Sequence, residues 1–281
     1  MTFASTVTRF APSPTGYLHL GHAYCALFAQ RLALDYGGRF ILRIEDTDPV
    51  RCKPQFETAI YEDLAWLGLA WEQPVRRQSE HMEDYRAALA RLDAMELLYP
   101  CFCSRKDIAD SGQAPHGPDG PLYPGTCRSL SASLRAEKMD AGIPFALRLD
   151  MAEAQRRAGP LTWHDRDKGE QCARPEIFGD VVLARKDTPT SYHLAVTLDD
   201  HLQGVTLVTR GEDLFEASHV HRLLQALLGL DVPEWRHHAL LMGSGGQRLA
   251  KRDQAETIRE MRKRGLGVDA VRSLALGQKN S

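Results

Sequence analysis

Two histidines three residues apart, His19 and His22, follow the turn-forming run Pro12-Ser13-Pro14-Thr15-Gly16 and precede a long apolar-periodic segment. A strand, a glycine-containing turn and a helix start together make an anion seat, because unpaired backbone N–H groups and the helix dipole face the ligand. Imidazoles on one side of that start can donate to phosphate oxygens. "RIEDTD" (Arg43 to Asp48) puts ionisable groups at the end of a strand, where open α/β sheets bind ligands. "GSGGQRLAKRD" (Gly243 to Asp253) is a glycine-rich loop whose lysine, Lys251, can close over phosphates. Taken singly, these stretches also fit a structural histidine pair, an acidic turn and a basic loop. Neither a Walker pattern nor Gly-x-Gly-x-x-Gly is present.

The elements that must hold these groups alternate. Ala23, Leu27, Ala29, Leu32 and Leu34 recur along a helix that Gly37-Gly38 ends. "RFILRIE" reads as a buried strand. Pro54 suits the first turn of a second helix packed through Ile60, Leu64 and Leu67. Ser79 reads as the N-cap of a third, with Tyr85, Leu89 and Leu92 on one face. Ser111 to Thr126 is rich in Gly and Pro and has no periodicity. The α/β pattern resumes with "FALRLD" at Phe145. "DVVLARKD" and "GVTLVTRGED" follow as strands, and "ASHVHRLLQALLG" as a helix. The class is α/β, with a doubly wound, Rossmann-type parallel sheet. The expected divisions are 1–98 and 143–235 for two halves of one catalytic domain, 99–142 for an insertion, and 236–281 for the basic loop and a short helical segment.

With 281 residues, 43% hydrophobic and 26% charged, the chain can bury a proper core, and a net charge of −2 gives it no general attraction to nucleic acid. No apolar run approaches the roughly 20 residues of a membrane span, and the N-terminus lacks a signal-peptide pattern, so a cytoplasmic protein is expected. The stretch from Arg248 to Arg264 carries seven Lys/Arg against three Asp/Glu. This run, with Arg76 and Arg77, is a candidate for phosphate contacts. Six cysteines, three of them within Cys101 to Cys127, point to a metal site rather than a disulfide framework. Cys101, Cys103 and Cys127 supply three soft ligands, and spacing leaves His116 and Tyr123 both open as the fourth. Cys25, Cys52 and Cys172 read as buried or incidental.

Together these motifs resemble a known family. Pro12 to Gly16 with His19-Leu20-Gly21-His22 is similar to the HIGH signature of class I aminoacyl-tRNA synthetases, and Arg248-Leu249-Ala250-Lys251-Arg252 to their KMSKS loop. "RFAPSPTG", "RIEDTD", "RQSE", "YPCFCS" and "RGED" resemble the glutamyl-tRNA synthetases, in family order from about residue 7 to residue 255. Only 30 residues follow Lys251 and the insertion is short. The likeness is therefore to the truncated paralogues, the glutamyl-queuosine tRNA(Asp) synthetases, which have no anticodon-binding domain.

That resemblance implies activation of L-glutamate by ATP with Mg²⁺, then glutamyl transfer to queuosine in the anticodon stem-loop of tRNA(Asp), by a cytoplasmic monomer. It implies His19, Gly21, His22 and Lys251 at ATP, with His19, His22 and Lys251 catalytic. It implies Arg9, Phe10, Ala11, Pro12, Ser13, Glu45, Tyr192 and Arg210 at glutamate. A structural Zn²⁺ would be held by Cys101, Cys103, Tyr123 and Cys127, the "YPGTC" block selecting Tyr123. Arg248 stands where the family has lysine and Ala250 where it has serine, so Lys251 is the expected phosphate lysine and the role of Arg248 is open. The rival expectations are a minimal synthetase charging an ordinary 3′ end and a silent RNA-binding paralogue.

Overall fold

In the computed structural model, residues 5–110, 116–241 and 256–277 are described. The chain begins with β1 (Val7–Phe10), α1 (Leu20–Asp35) and β2 (Arg39–Ile44). β1 and β2 pair in parallel, from Val7 opposite Arg39 to Phe10 opposite Leu42. Along β2, Phe40, Leu42 and Ile44 join the apolar cluster under α1, whereas Ile41 joins Val7, Val208 and Trp235. Side chains alternate across a strand, so Arg43 is carried to the face of Ile41, where it is fully buried. Cover on both faces is what a parallel sheet requires.

Two glycines let α1 turn back into β2. Gly37 takes a left-handed φ of 59°, and a Cβ on Gly38 would meet the Thr6 carbonyl oxygen at 2.0 Å. Leu34, counted in the apolar repeat of this helix, is 67% exposed; it lies in the last turn, beyond the packed stripe. α2 (Pro54–Trp66) starts on its proline and buries Ile60 and Leu64, with Leu67 buried just past its end. β3 (Arg76–Arg77) pairs with the end of β2, and α3 (Met82–Ala94) follows.

Ser79 does not cap α3: His81 stands at that position, and the Ser79 hydroxyl and N–H both bond the Asp46 carboxylate, at 2.6 and 2.8 Å. A carboxylate is the stronger acceptor, and it draws Ser79 to the strand end instead.

Next come β4 (Leu98–Cys101), α4 (Arg105–Asp110), a small hairpin of β5 (His116–Gly117) and β6 (Gly120–Pro121), α5 (Ala132–Asp140) and β7 (Ala146–Leu149). After α6 (Met151–Ala158), β8 (Thr162–Asp165), β9 (Gly169–Cys172) and β10 (Val182–Ala184), the chain enters α7 (Tyr192–Leu202) and β11 (Leu207–Gly211). It continues through α8 (Ala217–Leu228), β12 (Glu234–His238), α9 (Ile258–Lys263) and α10 (Val268–Ala275).

β11, β12 and β8 run parallel, and β9 adds an antiparallel edge. Thr206, just before β11, exchanges hydrogen bonds with Val7, its N–H reaching the Val7 carbonyl at 3.1 Å. β11 thus lies beside β1, and the order β3-β2-β1-β11-β12-β8 reverses between β1 and β11. The doubly wound expectation holds, and this reversal is where such sheets bind ligands. The strands at Phe145 and Val182 do not join it. β7 pairs antiparallel with both β4 and β10 in a separate sheet, a choice that apolar pattern cannot reveal. No helix among the described residues is long and apolar enough to cross a membrane.

Candidate active site

His19 is the N-cap of α1, and its Nδ1 accepts from the Gly21 N–H at 3.1 Å. His22 reaches back, its Nδ1 accepting from the His19 N–H at 3.2 Å. The pair forms a capping box made of imidazoles, with ring centroids 3.8 Å apart. With both Nδ1 atoms accepting, each neutral ring carries its proton on Nε2. Residues 256–277 return to this point: His19 bridges to Thr257, and the Ile258 N–H reaches the Leu18 carbonyl at 2.8 Å.

His19, Gly21 and His22 line a cleft of about 460 Å³ at the β1/β11 reversal, together with Arg9, Phe10, Ala11, Pro12, Ser13, Glu45, Tyr192 and Arg210. Every expected glutamate and ATP residue among those described meets here. Lys251, Arg248 and the rest of the glycine-rich loop lie outside the described residues.

Arg9 is 5% exposed and already holds a carboxylate, that of Asp200 on α7, through Nε at 3.0 Å and Nη2 at 3.3 Å. Nη1 donates to the Thr209 carbonyl at 3.0 Å. Of its five N–H bonds, two remain to meet a ligand. The bidentate fork expected for a ligand is thus occupied from within, because Asp200 needs compensation where it is buried. Arg43 supplies the rest, donating to Asp200 at 2.8 Å, Gln203 at 3.1 Å and Glu45 at 3.1 Å. Burial opposes the charge on Asp200, yet Arg9 and Arg43 hold its carboxyl below the usual range. For Glu45 burial wins and raises the carboxyl, against the pull of Arg43 and Arg9. Behind them Asp199 accepts from Arg76 at 2.8 Å, Gln78 at 2.8 Å and Tyr85 at 2.9 Å.

Arg210 is held differently. Its donors go to His237 at 3.1 Å, Tyr192 at 3.2 Å, His221 at 3.2 Å and Ser218 at 2.6 Å. All four partners are uncharged: burial and the Arg210 charge push the His237 imidazole down to about 4 and that of His221 well below its ordinary value. The second nitrogen of His237 lies 2.7 Å from the buried Asp165 carboxylate. Among the described residues Arg210 forms no ion pair. It is a buried cation on the cleft wall without an anion of its own, and burial lowers its pKa.

Sequence reasoning missed Asp199, Asp200, Asp165, His221 and His237. An Asp-Asp pair ending an apolar helix was the available signal for the first two. It also missed His238 and Thr209, which line the cleft. His238 Nδ1 donates to the Ala239 carbonyl at 3.1 Å, which leaves Nε2 an acceptor, and neither that atom nor the Thr209 hydroxyl has a partner among the described residues.

Arg76 and Arg77 both have carboxylate partners within the protein. Arg76 is bound to Asp199 and Asp84, Arg77 to Glu57 and Glu80. In the described part of the basic run, Arg262 pairs with Asp63 and Arg264 with Glu256.

Away from the cleft, the Cys101, Cys103 and Cys127 sulfurs all lie within 4.8 Å of one another. Cys103 and Cys127 are 3.5 Å apart, and the Tyr123 oxygen is 3.7 Å from the Cys103 sulfur. With Zn–S bonds of about 2.3 Å, two corners of a tetrahedron are roughly 3.8 Å apart, so these thiols fit one metal ion. Burial pushes the Cys103 thiol up to about 11; a bound cation would reverse that. Of the other cysteines, Cys25 and Cys52 are half-buried and Cys172 is exposed.

Residues 5–274 match the family described as tRNA synthetases class I (E and Q), catalytic domain. A protein of Rhodobacter capsulatus named glutamyl-Q tRNA(Asp) synthetase is 48% identical over 95% of this chain and 99% of its own. The glutamate–tRNA ligase of Aquifex aeolicus is 37% identical over 94% of this chain but only 55% of its own. The crystal structure of a glutamate tRNA ligase from Elizabethkingia meningosepticum, in complex with its amino acid, superposes with a TM-score of 0.74. It shares 29% identity, and the match covers 89% of this chain and 53% of that one, so this chain spans about half of that ligase. The capping histidines, the buried arginines of the reversal cleft and this match agree: the chain belongs to the class I tRNA synthetases of the E and Q type.

Proposed function

We propose that this protein activates L-glutamate with ATP and transfers the glutamyl group to queuosine of tRNA(Asp). The observation that carries the reading is Arg210, a buried guanidinium on the cleft wall whose partners are all neutral. A buried cation without an anion is costly, and a carboxylate ligand supplies the missing charge. Glu45, across the same cleft, has the opposite need. Burial raises its carboxyl, and an ammonium beside it restores the ionised form. A zwitterion with a second carboxylate satisfies both residues, with the two remaining N–H bonds of Arg9, the Ser13 hydroxyl and Tyr192 completing its seat.

In the first step a glutamate carboxylate oxygen attacks the α-phosphorus of ATP and the bond to pyrophosphate breaks. In the second, a hydroxyl oxygen attacks the acyl carbon, the bond to AMP breaks, and AMP and a proton leave. Such chemistry asks for positioning and charge stabilisation rather than a protein nucleophile. His19 and His22 at the start of α1, with Lys251, would serve the phosphates of ATP, bound with Mg²⁺. Four ligands, Cys101, Cys103, Tyr123 and Cys127, would hold a structural zinc. The queuosine acceptor is supported by the near full-length match to the Rhodobacter capsulatus protein.

Purified protein is mixed with ATP, labelled glutamate and tRNA with or without queuosine. Label in the queuosine pool alone is expected. Label in both pools would make it a minimal synthetase, and label in neither, without pyrophosphate exchange, a silent paralogue.

A further inference from the structure

Ser191 is the N-cap of α7, where serine ordinarily bonds the first-turn N–H groups, but its hydroxyl makes no such bond. That hydroxyl has no hydrogen-bond partner among the described residues, although Ser191 is only 7% exposed. A buried hydroxyl left unpaired is unfavourable and calls for an explanation. Ser191 lines a second cleft, of about 320 Å³, which shares Tyr192 as a wall with the active-site cleft.

Two of the other polar side chains that line this space, His193 and Asp119, stand beside the Ser191 end of it. His221 Nδ1 accepts from Arg210, so its proton is on Nε2, which lies 3.2 Å from His193 Nδ1. His193 is thereby held with its own proton on Nε2. That nitrogen is 3.7 Å from the carboxylate of Asp119, on the turn between β5 and β6. An N–H donor, a carboxylate acceptor and a hydroxyl that does both thus converge at the start of α7.

This set matches two adjacent hydroxyls on a small ring: the carboxylate accepts hydroxyl protons while the imidazole and serine serve the oxygens. Two arginines also line the cleft, but Arg148 donates to the Asp180 carbonyl at 2.6 Å and Arg185 faces Asp48 at 4.0 Å. The groups at the start of α7 therefore suit a neutral diol better than a phosphate, which Asp119 would repel. We infer that the cleft behind Tyr192 seats the vicinal diol of the acceptor nucleoside through Asp119, Ser191 and His193. The inference rests on the glutamyl-transfer reading above and adds the place where the acceptor waits beside the activated acyl group. A ribose and a cyclopentenediol share this chemistry, so the test must separate them.

Glutamate-dependent pyrophosphate exchange and single-turnover glutamyl transfer are measured side by side for the wild type, Asp119→Asn and Ser191→Ala. Asp119 is 74% exposed, so its variant keeps the fold. The acceptors are tRNA(Asp) with queuosine, the same tRNA trimmed of its 3′ terminal adenosine, and an unmodified transcript. The ratio of transfer to exchange should fall about tenfold to a hundredfold in each variant, the loss of one hydrogen bond to a charged or buried partner. Transfer surviving the trimming makes the diol that of queuosine; transfer to the transcript makes it a ribose. An unchanged ratio, or equal loss of both activities, overturns the inference. Wild type that labels no tRNA defeats the transfer reading alone, so the cleft is also probed directly by titrating queuosine nucleoside and adenosine against the imidazole resonances of His193. A shift with either that Asp119→Asn abolishes supports the cleft, and no shift with either refutes it.

Discussion

The cleft between β1 and β11 and the thiol cluster at the end of β4 are built on opposite plans. The cleft is ordered from within. Arg9 and Arg43 of the first strands meet Asp200 of α7 across 191 and 157 residues of sequence, and these three buried charges compensate one another. The thiols are close in sequence, gather in one small cluster with Tyr99 and Tyr123, and lack a charge partner among themselves. One site is held by the fold; the other fits a cation, and the proposed zinc would hold it. The difference is that the cleft should fail globally when one ion is removed, and the thiol cluster only locally.

The strongest way to break this contrast is Asp200→Asn. Removing one partner of a buried ion network costs about 3–5 kcal/mol, so its denaturant midpoint should drop far, with activity lost. An unchanged midpoint would show that Arg9 and Arg43 do not depend on it. Arg9→Ala comes next. Glutamate activation should fall by at least about a hundredfold, and stability should fall less than in Asp200→Asn because Arg43 still compensates Asp200. Pyrophosphate exchange and a melting curve on the same sample read both effects.

The Arg210 surroundings supply a pH test. His237 has its folded-state value lowered from 6.5 to about 4, so the unfolded chain binds more protons in that window. Its contribution is complete above pH 6.5 and is lost as pH falls toward 4, amounting to roughly 2 kcal/mol between pH 7 and 5. His221 adds to the slope in the same direction. Denaturant midpoints across that range should fall on acidification, and His237→Gln should flatten the slope. The smallest global effect is expected at the thiols. Metal analysis should find about one zinc per chain. A chelator should expose the segment around Cys103 to protease while moving the cleft's midpoint by under about 1 kcal/mol. A global collapse on chelation would erase the contrast.

The parts of the site that were legible in the sequence are those whose meaning is local. His19 and His22 announce a helix start because capping is decided within one turn, and three cysteines within one short segment announce a cluster that fits a metal because groups close in sequence close a short loop. Strand ends rich in charge mark a ligand edge. Cleft residues from Arg9 to Arg210 were reached through family motifs, not through spacing. Ser79 misled because a better acceptor, Asp46, arrives from another strand. The partners of Arg76 and Arg77, Asp199 and Glu57, lie on other elements and were not legible either.

Alternation, turn chemistry and helix periodicity were thus written in the chain, since they depend on neighbours a few residues away. Which carboxylate would neutralise Arg9, that Arg210 would have only neutral partners, and that β7 would leave the parallel sheet depended on groups brought together from distant segments. Buried charge is settled by whatever tertiary packing places within a few ångströms, and no local pattern records that distance.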